Sequence, residues 1–125
     1  MKRRRLLVID DEPDFMQIVR TVAEEMGFDV TTAGDAQEFK AVYTASPPDI
    51  MVIDVVMPEV DGIELVEWLV SVGCSTDVIM VTGYNPNYAS AAAAIAQAKS
   101  SMSVRILQKP VLLKDLRVAL RAELS

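Results

Sequence analysis

Short runs of apolar residues that stop at a chemically capable side chain recur along this chain, and no other feature limits its fold so sharply. The central run is Ile50-Met51-Val52-Ile53, closed by Asp54. A strand with one wet face alternates apolar and polar residues. A continuous apolar run instead needs cover on both faces, as in a parallel sheet between helices. The same pattern returns in Arg5-Leu6-Leu7-Val8-Ile9 before Asp10-Asp11-Glu12, in Val78-Ile79-Met80-Val81 before Thr82-Gly83, and in Val104-Arg105-Ile106-Leu107-Gln108 before Lys109-Pro110. A further strand is expected at Asp29–Ala33, where Val30, Thr31 and Thr32 are β-branched.

Helical periodicity fills the intervals. Pro13 suits the first position of a helix. Phe15, Ile18, Val19, Val22, Ala23 and Met26 then repeat at three- and four-residue spacing, an amphipathic stripe that Gly27 ends as a left-handed cap. Ala36, Phe39 and Val42 or Tyr43 carry a second helix, stopped by Ser46-Pro47-Pro48. Pro58 and Asp61-Gly62 place a non-helical loop after Asp54. A helix from about Gly62 to Val72 follows, with Ile63, Val66, Leu69 and Val70 inward, Trp68 off the stripe, and Gly73 as its stop. Tyr84-Asn85-Pro86-Asn87 reads as a loop and the alanine-rich Ala89 to Ser101 as a helix. Leu112, Leu116, Ala119 and Leu120 mark a last helix. Five strand–helix units in succession predict a single α/β domain over residues 1–125. Its sheet is doubly wound, parallel and five-stranded, with right-handed crossovers, helices on both faces and the flavodoxin-like strand order 2-1-3-4-5.

Composition removes several function classes. A net charge of −6 argues against direct nucleic-acid binding, which calls for a basic patch. The short basic stretch Lys2-Arg3-Arg4-Arg5 is read as a solvated lead-in to the first strand. Cys74 stands alone, so no internal disulfide can form, and it is expected to be a packed, inert residue. No apolar stretch approaches the roughly 20 residues of a membrane span, and no signal-peptide pattern is present, so a cytoplasmic protein is expected. With no histidine, catalytic histidine dyads, histidine-ligated zinc and an internal phosphohistidine are excluded. Any metal must take oxygen ligands, which points to a hard cation such as magnesium.

Parallel strands bring their carboxyl ends to one edge. In the expected order the first and third strands are neighbours, so Asp10 and Asp11 fall beside Asp54, with Thr82 and Lys109 on the other flank. Carboxylates crowded in this way repel one another unless a cation sits among them. A divalent hard ion would leave coordination positions open for phosphate oxygens. A carboxylate beside such an ion is a competent nucleophile toward a phosphoryl group. The ion and a lysine can neutralise its oxygens, and the Thr82 hydroxyl can supply a further hydrogen bond.

Taken together, Val8-Ile9-Asp10-Asp11-Glu12, the run Asp54-Val55-Val56-Met57-Pro58-Glu59-Val60-Asp61-Gly62, Val81-Thr82-Gly83 and Lys109-Pro110 are specific in order and spacing. On these pieces the whole chain resembles the CheY-like receiver domain of two-component response regulators. The resemblance implies that Asp54 accepts a phosphoryl group from a sensor histidine kinase or a histidine phosphotransfer domain. It implies Mg2+ held by Asp11, Asp54 and the backbone carbonyl of Val56, with Asp10 assisting through water. Thr82 and Lys109 would contact the phosphoryl oxygens, and the Lys109–Pro110 bond would be cis, a form that X–Pro bonds adopt readily. Output would pass to a downstream effector domain or partner protein.

The chain departs from that family in two places. The position three residues before the lysine, usually an aromatic that moves with the threonine, is Ile106. Tyr84 is a candidate for part of that role, beside the plainer reading of a loop tyrosine. The segment from Thr82 to Lys109 is also a few residues longer than usual, around the fourth helix. A homodimer is compatible with the sequence, but the longer segment gives no ground to predict the common one built on the fourth helix, fifth strand and fifth helix. Val56 and Tyr84 carry no charge, which would position an attacking water poorly and make a phosphoryl group on Asp54 long-lived. Two other readings stay open: a receiver-like interaction module working without phosphorylation, and a magnesium-dependent phosphatase with an aspartyl intermediate. The latter would want an Asp-x-Asp arrangement, whereas Asp10 and Asp11 are adjacent.

Overall fold

A computed structural model describes residues 4–54, 56–57, 60–83, 94 and 102–123. Its first strand, β1 (Arg5–Ile9), is followed by α1 (Pro13–Glu25), β2 (Asp29–Ala33), α2 (Ala36–Ala45) and β3 (Ile50–Asp54). Two short strands, β4 (Val56–Met57) and β5 (Val60–Asp61), form an antiparallel ladder where a plain loop is expected from Pro58. The chain continues as α3 (Gly62–Ser71), β6 (Asp77–Thr82), β7 (Val104–Gln108) and α4 (Leu113–Ala122). The expected helix at Ala89–Ser101 and Tyr84 lie outside the described residues, apart from Ala94, which is helical.

The main sheet has the order β2-β1-β3-β6-β7, all parallel, which is the flavodoxin-like 2-1-3-4-5 arrangement when its five strands are numbered alone. Alternation along each strand sends side chains to opposite faces. Leu7, Ile9, Met51, Ile53 and Met80 pack with Phe39 of α2 and Leu65, Val66 and Leu69 of α3. Leu6, Val8, Val52, Ile79 and Val81 pack with Val19, Val22 and Ala23 of α1 and Leu116 and Leu120 of α4. All five residues of β3 are buried, which explains its unbroken apolar run. Removing Ile53 to alanine would cost about 3 kcal/mol, as a cavity opens in a site that is closed on both sides. By contrast, β7 is an edge strand with Arg105, Ile106 and Gln108 exposed.

Local chemistry sets the boundaries. Asp35 caps α2 by accepting from the Glu38 backbone N–H at 2.8 Å. Gly27 and Gly73 stop their helices at φ +99° and +77°, where a side chain would be strained. Two apolar assignments differ from the sequence reading. Ile18 is 45% exposed, because it sits one residue round the helix from buried Val19 and looks into a groove beside Val111 and Leu113. Leu112 is 54% exposed and precedes the first turn of α4 as its N-cap. In α3 the inward set includes Leu65, which the stripe omitted. Trp68 is half-buried, edge-on to Tyr43 at 5.5 Å with the Lys40 ammonium 5.5 Å from its ring centre, a packing role. Cys74 is buried in the core as expected. Among the described residues, no helix is long and apolar enough to cross a membrane.

Candidate functional site

Register builds the site. Ile9 pairs with Ile53, so Asp10 and Asp54, the next residues on two adjacent parallel strands, stand side by side at the carboxyl edge. Thr82 ends β6 opposite Gln108, and its carbonyl accepts the Lys109 backbone N–H at 2.7 Å. That bond anchors the lysine backbone to the neighbouring strand end. The Lys109–Pro110 peptide is cis, as the family resemblance implies.

Burial then makes these groups interact strongly. Asp10 is fully buried, Asp54 is 3% exposed and Thr82 1%. The Lys109 ammonium lies 3.2 Å from Asp10 Oδ2, 3.3 Å from Asp54 Oδ2 and 2.6 Å from Glu12 Oε1. Its other flank rests on the Phe15 ring, 4.8 Å from the centroid. Asp10 Oδ1 accepts the Glu12 backbone N–H at 2.8 Å, which steers the chain into α1. Asp10 Oδ2 is buried without a directed hydrogen bond; its approach to Lys109 is an ionic contact. A buried carboxylate oxygen without a partner would cost about 1–3 kcal/mol or more, a cost that the ammonium offsets here. Desolvation, followed by the charge of Asp54, pushes the Asp10 carboxyl up to about 6 against the pull of the Glu12 amide and Lys109. Burial also acts to lower the Lys109 ammonium, but its bond to Glu12 and the charges of Asp10 and Asp54 outweigh that and raise it above its usual range.

The acidic cluster has a composition that fits a hard cation. Asp10, Asp11, Glu12 and Asp54 each offer an oxygen within 4.8 Å of the others, with Asp11 and Glu12 exposed and the other two buried. All the donors are oxygen, and buried Asp10 Oδ2, without a directed hydrogen bond, has as its neighbour the Lys109 ammonium at 3.2 Å, a cation that a metal ion could replace. The residues therefore fit Mg2+. The cleft beside them, about 540 Å³, is lined in part by Glu12, Asp54, Gly83, Lys109 and Pro110.

Of the residues singled out in the sequence, Asp10, Asp11 and Asp54 share one cluster, Lys109 touches two of them, and Thr82 holds the backbone of Lys109. Val56 begins β4, two residues beyond Asp54, and Ile106 is 43% exposed on β7. Sequence reasoning reaches Glu12 only as part of a motif. Its signal was its place directly after two aspartates and before a helix-opening proline, which puts it at the mouth of the same edge.

A family model described as the response regulator receiver domain matches residues 6–121. The receiver domain of a Francisella response regulator is 27% identical with a TM-score of 0.79, over 96% of this chain and 95% of that one. A CheY-like receiver domain protein from Methanospirillum hungatei is 25% identical with a TM-score of 0.83, over 98% and 94%. The response regulator protein PilR of Pseudomonas aeruginosa is 31% identical over 117 residues, which are 94% of this chain and 25% of that protein. The alkaline phosphatase synthesis transcriptional regulatory protein PhoP of Bacillus subtilis is 31% identical over 85 residues, 68% of this chain and 35% of that protein. The chain thus spans about a third or less of the length of these two relatives. Likeness that runs from the first strand into the last helix, over a strand edge where acids meet one lysine, leads to a plain conclusion: this chain belongs to the response regulator receiver domain family of two-component signalling.

Proposed function

We propose that this chain is a phosphoacceptor switch in which Asp54 takes a phosphoryl group from a phosphohistidine on a sensor kinase or phosphotransfer domain. One observation carries the reading: a nearly buried Asp54 carboxylate shares a lysine with a second, fully buried carboxylate, within a cluster whose donors are all oxygen. In the transfer the P–N bond to the donor imidazole breaks as a P–O bond to Asp54 forms, and the imidazole takes up a proton. Asp10, Asp11, Asp54 and the Val56 backbone carbonyl would hold Mg2+, which supplies charge neutralisation at the phosphoryl oxygens when bound. Lys109 is already 3.3 Å from Asp54 Oδ2 and needs little movement to meet a phosphoryl oxygen there. Thr82, at the end of the adjacent strand, offers its hydroxyl to another.

Residues 1–125 form a single receiver module on this reading. It works in the cytoplasm, contacts neither nucleic acid nor membrane directly, and passes its signal to an effector domain or partner protein. Phosphorylation would bias an existing two-state equilibrium of the output face, with homodimerisation as one outlet for that bias. The module is a signalling substrate that assists its own phosphorylation and dephosphorylation, not an enzyme turning over a small molecule. The uncharged Val56 and Tyr84 make the phosphoryl group long-lived; a half-life of seconds would contradict that detail.

The test is magnesium-dependent uptake of a phosphoryl group from a small-molecule donor, or of beryllofluoride, by the wild-type chain and by Asp54→Asn. Wild type should be modified with one equivalent and Asp54→Asn should not; equal behaviour of the two would sink the assignment. One observation favours a second reading, an interaction module independent of phosphate: Ile106, at the position of the family's aromatic switch, is an exposed aliphatic. Partner binding that is the same for wild type and Asp54→Asn would decide for it.

A further inference from the structure

Glu12 makes the closest of the three contacts to Lys109, at 2.6 Å, yet it belongs neither to a strand end nor to the proposed phosphate cradle. It occupies the N-cap position of α1, where a side chain would ordinarily bond the free amides of the first turn, but its carboxylate makes no such bond. It reaches across to the lysine instead. Its backbone is tied to the cluster, since its N–H donates to Asp10 Oδ1 at 2.8 Å. One turn further along the same helix, Phe15 presents its ring to the same ammonium at 4.8 Å. The start of α1 therefore gives Lys109 a carboxylate and an aromatic face, both outside the pair Asp10 and Asp54.

A conflict makes this arrangement useful, given the phosphoacceptor reading above. The ammonium and a divalent cation want the same oxygens, Asp10 Oδ2 and Asp54 Oδ2. Two cations on the same buried carboxylates repel each other strongly at low dielectric. Lys109 must therefore yield those oxygens to a metal while staying within reach of Asp54. Glu12 is 60% exposed, so its pairing with the ammonium carries little desolvation cost and can persist throughout.

We propose that Glu12 is a positioning residue: it holds the Lys109 ammonium against the start of α1 while the acidic cluster exchanges the lysine for a metal ion. It acts through Lys109 and not as a ligand of the ion. Without it, Lys109 falls back wholly on Asp10 and Asp54 and competes with the metal.

Magnesium affinity, measured by titration calorimetry at fixed ionic strength, tests this in four proteins: wild type, Glu12→Gln, Lys109→Met and the double variant. The Lys109→Met change keeps an apolar stem against Phe15; Lys109→Gln serves as the second background if that variant does not fold. Glu12→Gln should weaken magnesium about threefold beside Lys109, the scale of one partly exposed ion pair, and by much less in the background without the lysine. Equal weakening in both backgrounds would mean that Glu12 attracts or ligates the ion itself, and would overturn the proposal. An unchanged affinity in Glu12→Gln would overturn it too, while leaving Asp54 as phosphoacceptor untouched. Failure of the wild-type chain to bind magnesium at all would instead remove the phosphoacceptor reading, and this inference with it.

Discussion

The two ends of the sheet handle buried acid in opposite ways. At the carboxyl edge, Asp10 and Asp54 share an ammonium that is 17% exposed and lies within 3.3 Å of both. At the amino edge, Glu123 follows α4 and meets Asp77 at the start of β6, with the Arg4 guanidinium 3.8 Å away and 44% exposed. Burial, then a hydrogen bond from one acid to the other, pushes the Glu123 carboxyl up to about 7; Arg4 and Arg105 pull the other way without prevailing. One edge thus satisfies its acids with a cation and the other largely with a proton. A cation can be exchanged for another cation, as the proposed metal site would require. A shared proton only closes the structure. The amino edge is otherwise well tied, with the Arg5 backbone N–H donating to Asp49 Oδ2 at 2.8 Å and the Asp49 N–H to the Arg5 carbonyl at 2.8 Å.

Removing the cation from the carboxyl edge should have the largest effect. Lys109→Ala should lose about 3 kcal/mol of stability without magnesium, because two buried carboxylates are left facing each other. Magnesium should restore most of that loss, as urea unfolding with and without the ion would show. An equal loss in both conditions would mean that the two edges do not differ in the way described.

At the amino edge the lever is pH. Because the Glu123 carboxyl stands near 7 in the folded chain and near 4.5 unfolded, the native state holds a proton that the unfolded state has released. Stability from this group is fully present below about 4.5 and is lost as pH rises through 7. Glu123→Gln should therefore match wild type at pH 4.5 and exceed it by about 2 kcal/mol at pH 8, read from denaturation midpoints across that range. Magnesium should leave this difference unchanged.

Asp10 gives the matching experiment at the other edge, with a smaller effect. Its carboxyl stands at about 6 against 3.8 unfolded, so without metal its contribution is lost as pH rises from about 4 through 6. Asp10→Asn should stabilise the metal-free chain at pH 7 by about 1 kcal/mol and abolish part of the gain from magnesium, because one oxygen that the ion would engage is gone. A variant that gained as much from magnesium as wild type would detach Asp10 from the metal. Least of all should follow from Arg4→Ala: a pair 3.8 Å apart whose guanidinium is 44% exposed is worth no more than about 0.5 kcal/mol. A loss above 1 kcal/mol would show the guanidinium, not the proton, to be what settles the amino edge.

Strand positions were legible because burial on both faces writes itself as uninterrupted apolar residues; β1, β2, β3 and β7 fall where the runs placed them. The strand-end residues were equally legible, since a charged or hydroxylated side chain after such a run has few reasons to be there. Helix faces were less so. Ile18 and Leu112 obey the spacing of an inward stripe, yet they lie at its margin or before the helix begins, and only the neighbouring helix decides what is covered. The partners of Glu12 and Glu123 are not legible in the sequence, because an acid reveals its partner only once the chain has folded around it.

Local pattern and composition, then, determined a parallel α/β sheet, an acidic carboxyl edge, the restriction of any bound metal to ligands other than histidine, and the absence of any internal histidine donor. Tertiary structure alone decided that Ile9 pairs with Ile53, that Lys109 divides its charge among Asp10, Glu12 and Asp54, and that Asp77 meets Glu123 across the opposite edge. The reason is physical. Burial and periodicity act between neighbours in sequence, whereas a charge interacts with whatever the fold brings within a few ångströms, here residues 97 positions apart in the case of Glu12 and Lys109.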